Sequence, residues 1–337
     1  MHLLTFKRLV LIATVLALIL VSLGAYVRLS DAGLGCPDWP GCYGTLTVPQ
    51  TEQAISHANQ AYPGKPIHHG KAWKEMAHRY VAGVLGILIL CIFMSAWKQR
   101  RHLHVSPWLT TFLMAWVVFQ ALLGMWTVTL QLMPAVVTMH LIGGMTTLGL
   151  LVWITHRHYG EMYVPSSQHR WLKLAIRIAL VVLAMQIILG GWTSTNYAGL
   201  ACNDFPQCFG EWVPTGMDFN TAFDVTRQLG KIASGEDMPL TAYVAIQWAH
   251  RIGALSVMLL VISLSVAMWR IAGLKKMAQL LLLVLSVQIL LGVANLVLHL
   301  PIVLAVADIV WRADLKFPGK LRAWRMVGQW YNCRYRS

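Results

Sequence analysis

The chain has 337 residues, of which 57% are apolar and only 12% are charged, and its formal net charge is +14. So much apolar sequence excludes an ordinary soluble domain and predicts an all-α integral membrane protein. The positive charge does not indicate nucleic-acid binding, because residues 312–337 hold seven basic residues and one acidic residue, and most other basic residues flank apolar segments. The predicted partner of this surface is therefore the lipid bilayer and no nucleic acid.

Seven segments are apolar and long enough to cross a bilayer as helices. They are residues 9–28, 79–97, 108–130, 135–155, 174–195, 242–269 and 277–298. Basic residues cluster at 7–8, 98–101, 157–173 and 270–276, whereas the segment 197–241 carries six acidic and two basic residues. Because basic loops stay in the cytoplasm, we expect a multi-pass protein of the inner (plasma) membrane with a cytoplasmic N-terminus. The first span is longer than the apolar core of a signal peptide, which predicts a retained anchor.

The sequence also repeats itself. Residues 32–44 return at 198–210 with eight of thirteen positions identical. Two shorter motifs recur at similar offsets, Ala77-His78-Arg79 as Ala249-His250-Arg251 and Gln120 to Gly124 as Gln288 to Gly292. A repeat of this length predicts a duplicated half, with each copy carrying one cysteine loop.

The duplication predicts two four-helix bundles, at 1–160 and 161–311, followed by an atypical basic tail at 312–337. The eighth helix of this plan is altered, because the apolar run after residue 299 is only twelve residues long. The repeat position of His140 holds Asp308, and a charged aspartate in mid-span is unfavourable by about 2–3 kcal/mol. An altered reading frame near codon 307 would produce such a tail.

Four cysteines form two Cys-x5-Cys pairs, Cys36 with Cys42 and Cys202 with Cys208, in loops predicted on the outer face. An oxidising compartment favours disulfides, and closing so short a loop would stabilise the fold by about 2 kcal/mol. A redox role for one pair is the alternative, although the spacing differs from the Cys-x-x-Cys of thiol oxidoreductases. Zinc is disfavoured because each loop offers only two thiols.

Three histidines, His78, His140 and His250, each lie just inside the outer end of an even-numbered span. An ionisable side chain in a membrane helix is costly and usually faces a partner or a cofactor. Haem iron takes two axial ligands, and His78 with His140 would close one site inside the first bundle. The alternative is a set of buried histidines that are hydrogen-bonded to the backbone or to carboxylates.

Charged residues accompany two of these histidines. Glu75 lies three residues before His78, on the same helix face, where it could carry protons; the alternative is a helix N-terminal charge that the dipole favours. The second copy has Gln247 at this position, so the sequence lacks the paired Glu-x-x-His motifs of a di-iron site. Arg79 and Arg251 could bind haem propionates, or only extend toward the membrane surface.

Together these motifs resemble the haem A synthases, a family of duplicated eight-helix membrane proteins that support assembly of cytochrome oxidase. The resemblance runs from about residue 8 to residue 306. It is carried by Gly-Leu-Gly-Cys-x-Asp-Trp-Pro-x-Cys with Cys36 and Cys42, by Glu75-x-x-His78-Arg79, by Val-Val-Thr-Met-His140, by Cys202 with Cys208, and by Trp248-Ala249-His250-Arg251.

The resemblance implies a membrane oxidoreductase that oxidises the C8 methyl group of haem O to a formyl group by successive hydroxylation. It implies that His78 and His140 flank the substrate haem O, that Glu75 assists at that site, and that His250 holds a haem b cofactor. It also implies a disulfide in each cysteine loop, with a redox role suggested for the first pair. The implied partners are haem O synthase, other cytochrome oxidase assembly components and an electron donor that the sequence does not identify.

Asp308 departs from the pattern of this family. Carboxylates are poor axial ligands of haem, so we expect a weakened or empty cofactor site. His299 could substitute, or it could be an interfacial histidine. The alternative functions are therefore a di-haem membrane cytochrome, an inactive assembly-factor variant and, from the repeat alone, a transporter.

Overall fold

The computed structural model describes residues 2–103, 106–159, 170–271 and 273–299, together with 301–302 and 306–307. Its helices are α1 (His2–Leu29), α2 (Glu52–Ala61), α3 (His69–Lys98), α4 (Pro107–Thr129), α5 (Pro134–Tyr159), α6 (Arg170–Thr195), α7 (Phe219–Ala222), α8 (Leu240–Trp269) and α9 (Lys275–Val297). Seven of these helices are long and apolar enough to cross a membrane, which confirms the predicted all-α membrane fold with seven clear spans. Asp308 and the basic tail lie outside the described residues.

The second spanning helix begins earlier than predicted. We expected a span from residue 79, whereas α3 begins at His69. The first turns of α3 contain lysines and Glu75, so apolarity alone misses them. They are helical because one face, with Ala72, Glu75 and Met76, is buried under the first cysteine loop. Glu75 therefore lies in the second turn of a long helix, beyond the first turn where the helix dipole favours acidic residues.

Four spanning helices form a closed ring in the first half of the chain. Helix α1 packs against α3 and α5, and α4 packs against the same two helices. The half of this ring that lies nearest the start of α1 is filled with apolar side chains, because each helix directs leucine, isoleucine or phenylalanine toward the ring interior there. The largest buried members are Phe6, Val10, Ile89, Ile92, Leu113, Leu148, Leu151 and Ile154. The polar candidate residues lie in the other half of the ring, which adjoins the first cysteine loop.

The second half repeats part of this plan. Helix α6 packs against α8, as its counterpart α1 packs against α3, and α8 packs against α9. Helices α5 and α6 join the two halves. The predicted boundary between the halves, at residues 160 and 161, falls in a segment outside the described residues.

Two polar contacts at the C-terminal ends of α1 and α6 join the two halves. The Arg28 guanidinium donates to the Ser194 carbonyl over 2.6 Å, and the Tyr197 hydroxyl donates to Asp31 over 2.7 Å. Each contact joins residues that are 166 positions apart, which is the offset of the repeated loop motif. The two halves therefore meet here through residues at equivalent positions of the repeat.

Candidate functional site

The first cysteine loop is closed by a disulfide and lies directly on helix α3. Cys36 and Cys42 are joined, and both are buried together with Ala72 and Met76 of α3. Within the loop, Asp38 accepts hydrogen bonds from the backbone amides of Tyr43 at 2.6 Å and Gly44 at 2.8 Å. These contacts give the loop a fixed shape where it packs on α3.

Glu75 connects this loop to the membrane helix. Glu75 is only 5% exposed, and one of its carboxylate oxygens accepts a hydrogen bond from the Cys36 amide at 2.9 Å. The other oxygen pairs with Arg79, one turn further along α3. Arg79 also donates to the carbonyls of Asp38, at 2.9 Å, and of Gly41. A buried carboxylate that is satisfied on both oxygens has a defined position, which a proton-transfer group requires.

The second copy reproduces this arrangement with an amide instead of a carboxylate. Cys202 and Cys208 form the disulfide, and the Cys202 amide donates to the side-chain oxygen of Gln247. Arg251 donates to the carbonyls of Gln207 at 2.6 Å and Asp204 at 2.9 Å. The two loops are therefore held alike, and the chemical difference between them is concentrated at Glu75 and Gln247.

Asp204 in the second loop has the role that Asp38 has in the first. It accepts hydrogen bonds from the amides of Phe209 at 2.7 Å and Gly210 at 2.8 Å. These bonds, with that from Gly210 the largest contribution, hold the pKa of the Asp204 carboxyl below its usual value. The carboxylate therefore stays ionised as a loop-shaping acceptor at neutral pH.

Gly35 is expected to be essential for seating the first loop. A Cβ atom at this position would lie 2.6 Å from the Lys71 carbonyl carbon and 2.7 Å from the Ala72 nitrogen, both in the backbone of α3. Gly35→Ala should therefore lift the loop and lower the free energy of unfolding by about 1–3 kcal/mol, as overpacking does. Thermal unfolding of the detergent-solubilised protein measures this effect. Gly70→Ala is the control, because a Cβ there meets nothing within 4 Å; equal melting temperatures for the two variants would contradict the prediction.

His78 and His140 lie in the half of the first ring that adjoins the cysteine loop. His78 packs against the α1 backbone, since a Cβ at Gly24 would lie 2.9 Å from its Cε1 atom. His140 packs in the same way against α4, where a Cβ at Gly124 would lie 3.2 Å from its Cε1 atom. Both residues are half-buried. The structure thus places the two histidines that the sequence pairs in the same ring of four helices, and His78 lies one turn from Glu75 on α3.

Two glutamines, which sequence reasoning assigned no role, contact two of the three histidines. The Gln120 amide nitrogen lies 3.1 Å from Nδ1 of His140 and donates to the carbonyl of the same residue at 2.6 Å. The Gln186 amide nitrogen lies 3.1 Å from Nδ1 of His250 and donates to its carbonyl at 3.1 Å. In both cases the glutamine reaches across from the preceding spanning helix.

A His-x-x-Gly pattern makes room for each glutamine. A Cβ at Gly143 would lie 1.9 Å from the Gln120 side-chain oxygen, and a Cβ at Gly253 would lie 2.1 Å from that of Gln186. These glycines follow His140 and His250 by three residues. The pattern was present in the sequence and is the signal that could have identified the glutamines.

His299 occupies the turn that follows α9 and is exposed. It has a backbone φ of +55°, and its repeat counterpart Gln131, 168 positions earlier, has a φ of +51°. His299 is thus the equivalent of a turn residue that precedes His140 by nine positions. Its ability to replace the missing ligand stays a prediction.

Comparison with known proteins agrees with these features. The family model described as "Cytochrome oxidase assembly protein" matches residues 7–310. The chain is 41% identical over 298 residues to the heme A synthase of Shewanella oneidensis, covering 88% of this chain and 89% of that protein. It is 28% identical over 315 residues to the heme A synthase of Chelativorans sp., covering 88% and 83% of the two chains. It is 27% identical over 327 residues to the heme A synthase of Wolbachia pipientis wMel, covering 89% and 86%.

Proposed function

Since this chain belongs to the cytochrome oxidase assembly family, we propose that it is a haem A synthase, a membrane oxidoreductase that oxidises the C8 methyl group of haem O to a formyl group. The observation that carries the proposal is the 41% identity to a heme A synthase across nearly the whole chain. The reaction is a successive hydroxylation at one carbon, and its product serves cytochrome oxidase biogenesis. Haem O synthase would supply the substrate and other assembly components would receive the product.

The proposed substrate site lies within the N-terminal unit of residues 1–160. It is the half of the ring of α1, α3, α4 and α5 that adjoins the first cysteine loop. His78 and His140 would bind the iron of haem O from opposite faces. The glycines at positions 24 and 124 support this assignment, because they leave both imidazoles lying against bare helix backbone. Nδ1 of His78 is buried, whereas the residue as a whole is half-buried. The exposed surface of His78 therefore belongs to atoms other than Nδ1.

Glu75 is the proposed catalytic residue at this site. It is one helical turn from His78, and its carboxylate is fixed by Arg79 and by the Cys36 amide. A carboxylate paired with a guanidinium can accept a proton that is released when an oxidant converts the methyl group to the hydroxymethyl and then the formyl group. Arg79 and Arg251 bind loop carbonyls in this structure; a contact with haem propionates at the outer edge of each site stays part of the proposal.

The second half, residues 161–311, is proposed to hold haem b through His250. The fit rests on the buried Gln186, which supports Nδ1 of His250 as Gln120 supports that of His140. A haem b bound there would pass electrons to the substrate site. Because Asp308 stands at the repeat position of His140 and carboxylates are poor axial ligands, this haem should be held more weakly than by two histidines, and His299 is the candidate for the second ligand.

The proposed orientation in the inner (plasma) membrane has the N-terminus in the cytoplasm and both cysteine loops on the outer face. Basic side chains at the inner ends support it, including Lys98 at the end of α3 and Lys275 at the start of α9. The two disulfides suit an oxidising compartment. A redox role for the Cys36–Cys42 pair remains the alternative to a structural one.

Expression of the full chain together with a haem O synthase tests the proposed function. Haem extracted from the membranes should contain the formyl product, identified by mass. Bound haem O that stays unchanged would instead indicate a di-haem cytochrome. A purified protein without Soret absorbance would indicate an inactive assembly-factor variant or a transporter.

A further inference from the structure

The three histidines differ in what holds the ring nitrogen Nδ1. In His140 and His250 it lies 3.1 Å from a glutamine amide nitrogen. In His78, by contrast, Nδ1 is buried and has no hydrogen-bond partner among the described residues. The proposed substrate site therefore combines one histidine that is supported by a glutamine with one that is not.

The sequence accounts for this difference through a pair of coupled positions. The counterpart of Gln186, 166 positions earlier, is Leu20, and the counterpart of Gly253, 172 positions earlier, is Val81. Leu20 lies one helical turn before Gly24, whose backbone His78 packs against. The first copy thus has two branched apolar residues where the second has a glutamine and the glycine that makes room for it.

Support at the second ring nitrogen matters for a metal ligand. A partner there fixes the ring orientation and the tautomer, and removing it typically weakens metal binding 10- to 100-fold. Gln120 also donates to the carbonyl of His140, so it holds the side chain and the backbone of one residue together. Its side-chain oxygen is buried and has no partner among the described residues. A half turn of this amide would supply the acceptor that Nδ1–H of an iron-bound imidazole needs, in exchange for the hydrogen bond to the His140 carbonyl.

We propose that Gln120 is a positioning residue that keeps His140 on the substrate haem throughout turnover, whereas His78 is the ligand that leaves. This inference rests on the proposed function. When His78 leaves, its bond to iron opens and the electron pair returns to the imidazole nitrogen. His78 lies on α3, one turn from Glu75, so its departure would open the side of the substrate that is nearest the proposed catalytic carboxylate.

Two single variants identify the leaving ligand. His78→Ala and His140→Ala are each made in the full chain, which is co-expressed with a haem O synthase. Both variants also carry His250→Ala, so that only the N-terminal site contributes to the Soret band. His78→Ala should retain most of its haem, and His140→Ala should retain at least about tenfold less. Equal haem loss in the two variants would overturn the proposal.

Carbon monoxide, which needs a free axial position on reduced haem, tests the role of the glutamine directly. Leu20→Gln combined with Val81→Gly gives His78 the partner that His250 has, and should lower the carbon monoxide affinity of the same background about tenfold. Gln120→Leu should not lower it, because His78 is unaffected. If the double variant still binds haem and its carbon monoxide affinity is unchanged, the proposal is overturned. That result is the one expected if the glutamine has a purely structural role. A parent chain without a Soret band would contradict the proposed function. A parent chain that makes the formyl product, with variants that do not show the expected differences, would contradict only this inference.

Discussion

Replacing Glu75 with glutamine is expected to lower the rate of formyl product formation by about 10²–10⁴-fold while leaving the fold and the haem content unchanged. The physical reason is contained in the chain itself. Gln247 occupies the equivalent position in the second copy and makes the same bond to a loop cysteine amide. Both residues are 5% exposed. The scaffold therefore accepts an amide at this position, and Glu75→Gln removes the proton-accepting group without removing the contact.

The measurement is the yield of formyl haem per bound haem after co-expression with a haem O synthase. The matched control is Glu52→Gln, the same chemical change at an exposed position in α2. Its product yield should equal that of the parent chain. A Glu75→Gln variant that binds haem and forms product at the parental rate would contradict a proton-transfer role and leave Glu75 as an anchor of the cysteine loop.

The seven spanning helices were predictable because each is encoded by a continuous apolar segment, and lipid leaves a helix as the only way to satisfy its backbone. The start of α3 was not, because His69 to His78 is polar on the faces that do not contact the loop. Those turns are helical through a tertiary contact, the burial of Ala72 and Met76 beneath Cys36 and Cys42. A hydropathy window has no access to such contacts.

The candidate site was predictable to the level of residue type. Duplication singled out the histidines, and the unequal pair Glu75 and Gln247, because a repeat exposes positions where chemistry differs on a shared scaffold. The glutamine partners were missed because each lies on a different helix from its histidine, 20 positions away for Gln120 and 64 positions away for Gln186. Arg79 and Arg251 bind loop carbonyls, a contact that the sequence did not reveal because it depends on how the loop folds back. Their contact with haem propionates stays a prediction.

Replacing His250 with alanine is expected to reduce haem b binding by at least about 100-fold, since removing a ligand should cost no less than removing the partner that supports it. The expected loss is confined to the second half, because Gln120 supports His140 independently of Gln186. The Soret absorbance and the mass of extracted haem should therefore show haem O retained and haem b lost. Loss of both haems would indicate that the two sites are not independent.

His299→Ala is the informative control for this experiment. His299 lies in an exposed turn, at the position that corresponds to Gln131 in the first copy and precedes that of His140 by nine residues. If it is an interfacial histidine, its alanine variant should bind as much haem b as the parent chain. A loss of haem b as large as that in His250→Ala would identify His299 as the second axial ligand. The second half would then hold its haem with a residue in a turn, where the first half uses a residue in a helix. Retention of haem b in both variants would contradict a role for His250 as a haem ligand.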